Sequence, residues 1–243
     1  MVWLWPALVS ILPIAAGIAL AGTLFRGNAA GRWPAIAGYG LLFAVFLMPL
    51  SLLVADFAGL RFSTRASLLP AQLMALAVIA ACWRFRDAAA HRPALDPASA
   101  LTGVQRALWW FLLLAVAGRL CLMMLEVPLR PLFPWDATMH WATKAKVWFG
   151  QGQLVPFVDY RSWLLAQTPG IFTDHHPGYP TTIPLLQLWT ATALQCWDEA
   201  LINLPWLLFP TALAACFYGQ GRLSGVHPLL ALLFVYLLLS LPL

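Results

Sequence analysis

Charge is what this sequence has least of. Only 9% of its 243 residues are Asp, Glu, Lys or Arg, against roughly 25% in soluble domains. Hydrophobic residues make up 62% and the mean hydropathy is +0.79. A soluble core of this length cannot hide so much apolar surface, so the bilayer is the natural solvent. Strand-period alternation is missing as well, which argues against a membrane β-barrel. Helices remain, because in lipid each backbone polar group must be satisfied within its own segment. Lysine is nearly absent, standing only at Lys144 and Lys146. The formal net charge of +5 is therefore carried by arginines, mostly in short loops between apolar runs. Such placement sets membrane orientation, and a nucleic-acid partner is not expected. The cysteines (Cys82, Cys121, Cys196 and Cys216) form no CxxC pair and lie in or beside apolar runs. They read as buried packing residues and not as a zinc site or disulfide framework.

What is there is a series of about seven apolar segments: 2–25, 34–55, 68–83, 107–127, 181–197, 200–218 and 226–243. The fold class expected is all-α, a polytopic helical membrane protein. The first segment has no Lys or Arg before it and is longer than a signal-peptide core, so it reads as a true span. Arg26 and Arg32 follow it; Arg84, Arg86, Arg92 and Arg106 lie between the third and fourth segments. If every segment crosses, both loops share one side, which the positive-inside rule makes cytoplasmic. The polar stretch 128–179 then faces outward, and 84–106 is a solvated cytoplasmic linker. Two details disagree: Asp198 and Glu199 fall inside and Arg222 outside. The fifth segment is short and flanked by prolines, so a re-entrant path is open to it. The last apolar run reaches Leu243 without closing polar residues, as expected of the N-terminal portion of a longer protein.

Most of the chemistry lies between Glu126 and Pro184. Trp135, Trp141, Trp148 and Trp163 sit there, and tryptophan favours the membrane–water interface. A structured loop with short interfacial helices is expected over 128–179. Pro134-Trp135-Asp136 opens a helix that Asp136 can cap or join in its first turn, where the dipole favours it. At helical spacing Asp136, His140 and Lys144 share one face, and Trp141, Ala145 and Trp148 another. Asp136 is then either a cap with His140 as its surface partner or a functional acid. Asp174-His175-His176-Pro177 forms a second cluster among turn residues. Carboxylate beside imidazole suits general acid–base work or a divalent metal, although the spacing is no zinc signature, and a hydrogen-bonded turn with a histidine at the headgroup level is the alternative. Apart from that metal no cofactor is expected. Lys144, Lys146 and Arg161 offer cations for a phosphate at the membrane surface, and Arg130 fits lipid headgroups. Arg119, inside the fourth segment, either serves function, snorkels outward or meets Glu126 along the same face.

These residues resemble the GT-C superfamily of membrane glycosyltransferases, in particular the branch of protein mannosyltransferases and lipid A aminoarabinose transferases. Three elements carry the resemblance: Arg130-Pro131-Leu132-Phe133-Pro134-Trp135-Asp136 after a membrane helix; Asp174-His175-His176-Pro177-Gly178-Tyr179-Pro180 leading into an apolar helix; and Trp197-Asp198-Glu199-Ala200-Leu201-Ile202-Asn203-Leu204-Pro205. It covers residues 107–225, with 1–106 as added N-terminal helices plus the linker and 226–243 as a last segment. In the family the catalytic loop usually follows the first helix; here it follows the fourth. Asn203 stands at the arginine of the family's junction, and Ala137 where some branches carry a second acid.

The resemblance implies transfer of a sugar from a polyprenyl-phosphate-linked donor to a glycan, lipid or protein acceptor outside the membrane. It implies Asp136 as the catalytic acid residue acting on the acceptor. Substrate contacts are expected from His140, Lys144, Lys146, Arg161, Asp174, His175, His176 and Tyr179, and Asp174 with His176 holds a metal in some members. Membrane lipids are the remaining partners. The excess of arginine over lysine fits a high-GC bacterial gene, hence an inner membrane with 128–179 in the periplasm. The alternative class is a non-catalytic transporter or assembly subunit, but transporters gather polar groups mid-membrane, whereas here they gather at the surface.

Overall fold

The computed structural model describes residues 4–27, 29–84, 101–166 and 169–241. The expected linker at 84–106 thus falls largely outside the described residues. Among the described residues the regular structure is almost all helix, with one pair of two-residue strands. Helices α1 (Trp5–Leu24) and α2 (Arg32–Phe57) come first, then a 3-10 turn, Arg65–Leu68, which runs straight into α3 (Leu69–Arg84). Helix α4 (Gly103–Leu129) leads to a π-helical turn (Ala137–Ala142) and α5 (Thr143–Gln151). Strand β1 (Phe157–Val158), α6 (Tyr160–Ala166) and strand β2 (Phe172–Thr173) follow, then α7 (Thr182–Leu194). A 3-10 segment, Leu201–Leu207, precedes α8 (Leu208–Leu223) and α9 (Pro228–Leu238). The two short strands pair in parallel, Phe157 with Phe172 and Val158 with Thr173.

Five helical segments are long and apolar enough to cross a membrane: Trp5–Leu24, Arg32–Phe57, Arg65–Arg84, Gly103–Leu129 and Leu201–Leu223. With the composition, this makes the chain an integral membrane protein. Of the seven apolar segments expected, five correspond to these long helical stretches among the described residues. The seventh expected segment forms α9, 11 residues long. The fifth forms α7, whose 13 residues reach about 20 Å against a hydrocarbon core of roughly 30 Å. Residues Pro184 to Leu194 of α7 are all buried. Its apolarity serves protein packing and not lipid contact. Helix α4 is the opposite case, with 6% of its apolar window buried.

The chain divides into two compact units, and the division cuts through α1, α2 and α3 and the last turn of α4. Unit 1 (Met1–Pro13, Val45–Met74 and Val127–Pro205) is built around α7. Ala142 packs with Ala191 and Ile202, with Leu132, Phe149 and Trp197 at the margin. Gln195 closes α7 in the left-handed region at φ 61°, and its side chain donates back to Thr192 O at 2.6 Å. Arg65 Nε donates to Ala193 O at 2.8 Å and lies 4.6 Å from the Trp5 ring. A cation there meets the negative end of α7's dipole. The turn after α2 is stitched to the end of α5. Phe62 N donates to Gly152 O at 3.0 Å, Arg61 to Gln153 at 2.8 Å, and Leu154 N to Asp56 Oδ1 at 2.8 Å.

Unit 2 (Ile14–Ala44, Ala75–Glu126 and Trp206–Leu243) packs through small residues. A Cβ on Gly17 would lie 2.0 Å from Gly40 O, and one on Gly38 would lie 2.5 Å from Cys216 N. Removing side chains there lets backbones approach, the usual membrane solution. Val116 of α4 meets Ala214 of α8 and Leu232, Val235 and Leu239 at α9. Arg119 is exposed on α4 and makes no ion pair among the described residues. The cysteines are all free: Cys121 and Cys196 are exposed and Cys82 and Cys216 half-buried. They are therefore not the buried packing residues expected, because their segments turn them toward lipid or the surface.

Gly40→Val should push a side chain into the backbone of Ile18, 2.7 Å from the added Cβ. We expect a clear fall in thermal stability in detergent. Gly118→Val, which meets nothing within 4 Å, should be tolerated. Equal melting temperatures would reject this helix contact.

Candidate functional site

All the functional residues singled out between 136 and 179 belong to unit 1. Asp136 lies in the first turn of the helix that the Pro134–Asp136 sequence opens. Its backbone is helical (φ −60°, ψ −40°) and its carboxylate makes no capping bond, so of the two expected places, cap or first turn, it takes the first turn. A negative charge in that first turn is still favoured by the dipole. The carboxylate is exposed and has no side-chain partner among the described residues.

One turn on, the helix widens into the π-helical segment, where Thr143 Oγ1 donates to Thr138 O at 2.7 Å. Such single turns insert a residue into α-helical register. The expected common face of Asp136, His140 and Lys144 is accordingly broken: Asp136 points outward while His140 and Lys144 are buried at 5% and 1% exposure. Trp148, expected on the opposite face, is buried and donates to Val155 O at 2.9 Å.

His140 and Lys144 converge on Asp174, which follows β2. The ladder fixes its backbone, since Asp174 N donates to Val158 O at 3.0 Å. Asp174 Oδ1 accepts from His140 Nδ1 at 2.8 Å and from His176 N at 3.2 Å. Asp174 Oδ2 lies 2.8 Å from Lys144 Nζ. That contact is charge pairing more than an aligned hydrogen bond, since Oδ2 has no bond of acceptable angle. Lys144 Nζ spends its donors on His176 O at 3.1 Å and Pro177 O at 3.3 Å. Burial raises the Asp174 carboxyl, but the Lys144 ammonium against it and hydrogen bonds from His140 and the His176 amide outweigh it. The net pKa lies below the ordinary carboxylate value.

An aromatic group covers this cluster. The His176 ring stacks on Tyr179 at 4.6 Å, and Trp141 stacks on Tyr179 at 5.5 Å. Trp135 meets His140 edge-on at 5.2 Å. His175 and His176 are exposed. Lys146, two residues from Lys144, faces the other way and pairs with Glu199 at 3.1 Å with its side chain 58% exposed. Such a pair contributes about 0–1 kcal/mol. Arg161 stands exposed on α6 without a side-chain partner among the described residues. Asn203, at the junction after α7, accepts from Gln187 Nε2 at 3.1 Å.

Asp174, His140, Lys144, His176 and Tyr179 are thus brought together; Lys146 and Arg161 make no recorded contact with them. The sequence flagged the two lysines but not their opposite tasks, although i and i+2 on a helix do not share a face. Asp174 and His176 do not read as a metal pair, because the carboxylate is taken up by Lys144, His140 and an amide, and the His176 ring is stacked. No group of three or more His, Cys, Asp or Glu side chains that could hold a metal occurs among the described residues. Comparison with family models, with curated proteins and with solved structures gives no match.

Lys144→Met would leave Asp174 buried without its cation, which typically costs 3–5 kcal/mol. A large drop in thermal stability at neutral pH is expected in detergent. Acid has a defined sign here. The native pKa of Asp174 is lowered, so its contribution is present above the unfolded value of about 4 and is lost as pH falls through the native value. Wild-type stability should fall in that window. The variant, already weaker at neutral pH, should lose less on acidification. An acid limb unchanged by the substitution would reject the assignment.

Proposed function

We propose that this chain is a glycosyltransferase that moves a sugar from a polyprenyl-phosphate carrier to an acceptor at the outer face of a bacterial inner membrane. The observation that carries the reading is a division among acids. Asp174 is buried and engaged by Lys144, His140 and an amide, while Asp136, on the same small unit and just after the long apolar α4, is exposed and has no side-chain partner among the described residues. A carboxylate free to act, beside one spent on structure, suits the role that the GT-C resemblance assigns to Asp136.

The step is a substitution at the anomeric carbon. An acceptor oxygen forms the new C–O bond, the bond to the carrier phosphate breaks, and its electron pair leaves on phosphate. The acceptor proton passes to Asp136. Negative charge growing on phosphate calls for a cation. Lys144 is committed to Asp174, so Arg161 and the half-solvated Lys146 are the cations at hand, the latter by exchanging Glu199 for phosphate. Aromatic side chains at the surface suit a greasy carrier and a sugar ring.

A membrane path follows from the arginines once α7 does not cross. The N-terminus lies outside, Arg26 and Arg32 inside, 58–64 outside, the arginine-rich linker inside and 130–200 outside. Asp198 and Glu199 then fall outside and Arg222 inside, so both earlier disagreements with the positive-inside rule vanish.

Two experiments test these points. Asp136→Asn should lower sugar transfer by at least about 100-fold without changing thermal stability; wild-type transfer by the variant would remove Asp136 from its role. Absence of selective polyprenyl-phosphate binding by the wild type would favour a scaffold or transporter. For the path, a membrane-impermeant maleimide applied to spheroplasts should label the exposed Cys196. In an otherwise cysteine-free chain, Ser224→Cys, at an exposed position beside Arg222, should be labelled only after permeabilisation. The reverse pattern would overturn the orientation.

A further inference from the structure

His140 has one polar atom spoken for and one left over. Its Nδ1 lies 2.8 Å from Asp174 Oδ1. Asp174 sits against Lys144 at 2.8 Å, and a carboxylate so paired only accepts. The hydrogen of that bond therefore belongs to Nδ1, and in the neutral ring the lone pair is on Nε2. The side chain is 6% exposed, yet Nε2 meets no partner among the described residues. It is not among the side-chain polar atoms sealed from solvent, so this nitrogen is open to water or to a ligand that takes the water's place.

The surroundings say what could satisfy it. Ring centroids of Trp135, His176 and Tyr179 lie 5.2, 5.1 and 5.8 Å from that of His140. Trp135 is 64% exposed and Tyr179 39%. A fixed acceptor between partly open aromatic faces fits a ligand with hydroxyls that donate and an apolar C–H face that rests on a ring. Few small molecules other than sugars have both. Tyr179 is held by its stack with His176, and His176 by its amide bond to Asp174. The walls and the acceptor thus depend on one carboxylate.

We propose that His140 Nε2 is the hydroxyl acceptor of a sugar subsite, with the C–H face of the ring against Trp135 or Tyr179. Naming the lipid-linked sugar as occupant rests on the transfer reading above; the tautomer of His140 does not. His140 acts here as a positioning residue that holds the sugar, while Asp136 engages the acceptor.

The test uses the whole chain in nanodiscs with 15N-labelled histidine rings, His140 being assigned by comparison with His140→Asn. At about pH 8, above the ordinary imidazole pKa, His140 should show a protonated Nδ1 and a bare Nε2. Polyprenyl-phosphate hexoses and pentoses, added one at a time, should shift Nε2 with at least one of them, and unglycosylated polyprenyl phosphate should not. In transfer assays, His140→Asn keeps an amide for Asp174 but offers nothing at Nε2. It should raise the donor KM about tenfold at unchanged thermal stability, and His140→Gln should recover part of that loss. An Nε2-protonated ring, or a wild-type KM in His140→Asn, overturns the subsite. If the wild type transfers sugar from none of the carriers, the transfer reading falls. The Nε2 shift then decides alone: a shift with a glycosylated carrier upholds the subsite, and no shift overturns it.

Discussion

The pairing of Lys144 with Asp174 is the constraint on which the rest of the site depends. Both side chains are nearly inaccessible, at 2% and 1%, so each gave up its water to be there. A buried pair seldom repays that desolvation in stability. What it secures is geometry. Lys144 also holds the carbonyls of His176 and Pro177, and Asp174 also holds the His140 ring and the His176 amide. Helix α5 and the turn before α7 are thereby locked in one register, and the aromatic stack inherits that register.

Two solvents act on this chain, and hydropathy alone does not separate them. Helix α4 faces outward over most of its length, with Leu108, Phe111, Leu114, Leu122 and Leu125 exposed, as lipid requires. Helix α7 is no less apolar to the eye, yet it disappears into unit 1. Its polar residues tell the difference. Thr190 donates to Leu186 O, Gln187 reaches Asn203, and Trp189 donates to Ser10 at 3.2 Å. Thr190 bonds back within its own helix, while Gln187 and Trp189 bond to other segments, as suits an interior where unsatisfied groups are costly. The chain then leaves α7 to return to the segment it came from. Leu132 N donates to Glu199 O at 3.3 Å, and Lys146 pairs with Glu199.

Much of the fold was legible because membrane spans are set by length and apolarity. Segments 2–25, 34–55, 68–83, 107–127 and 200–218 each correspond to a long helix. Segment 181–197 misled because an apolar run does not state what buries it. The site was legible in composition and not in arrangement. Asp174-His175-His176 stood out among turn residues, and the lysine pair stood out by rarity. That Asp174 would meet His140, 34 residues earlier, is a long-range contact with no local signature. The shared face of Asp136 and His140 failed for a local reason that is equally hidden. The π-helical turn inserts its extra residue through backbone bonds that the side chains of Ala137–Ala142 do not advertise. The two-residue strand pair escaped notice because Phe157–Val158 and Phe172–Thr173 are too short for alternation to appear.

Which charges are engaged and which are free is the most informative consequence. A catalytic group must change partners during a reaction, whereas a scaffold group must not. Asp174 and Lys144 each have at least two partners and no access to water, so displacing either would dismantle the turn that presents His176 and Tyr179. Asp136 and Arg161 have solvent and no side-chain partner among the described residues, and Lys146 has one that solvent can replace. The sequence, which shows only residue types, makes Asp136 and Asp174 look like equals. Burial makes them opposites, one holding the turn in shape and the other, one helical turn from a fixed imidazole, standing in solvent.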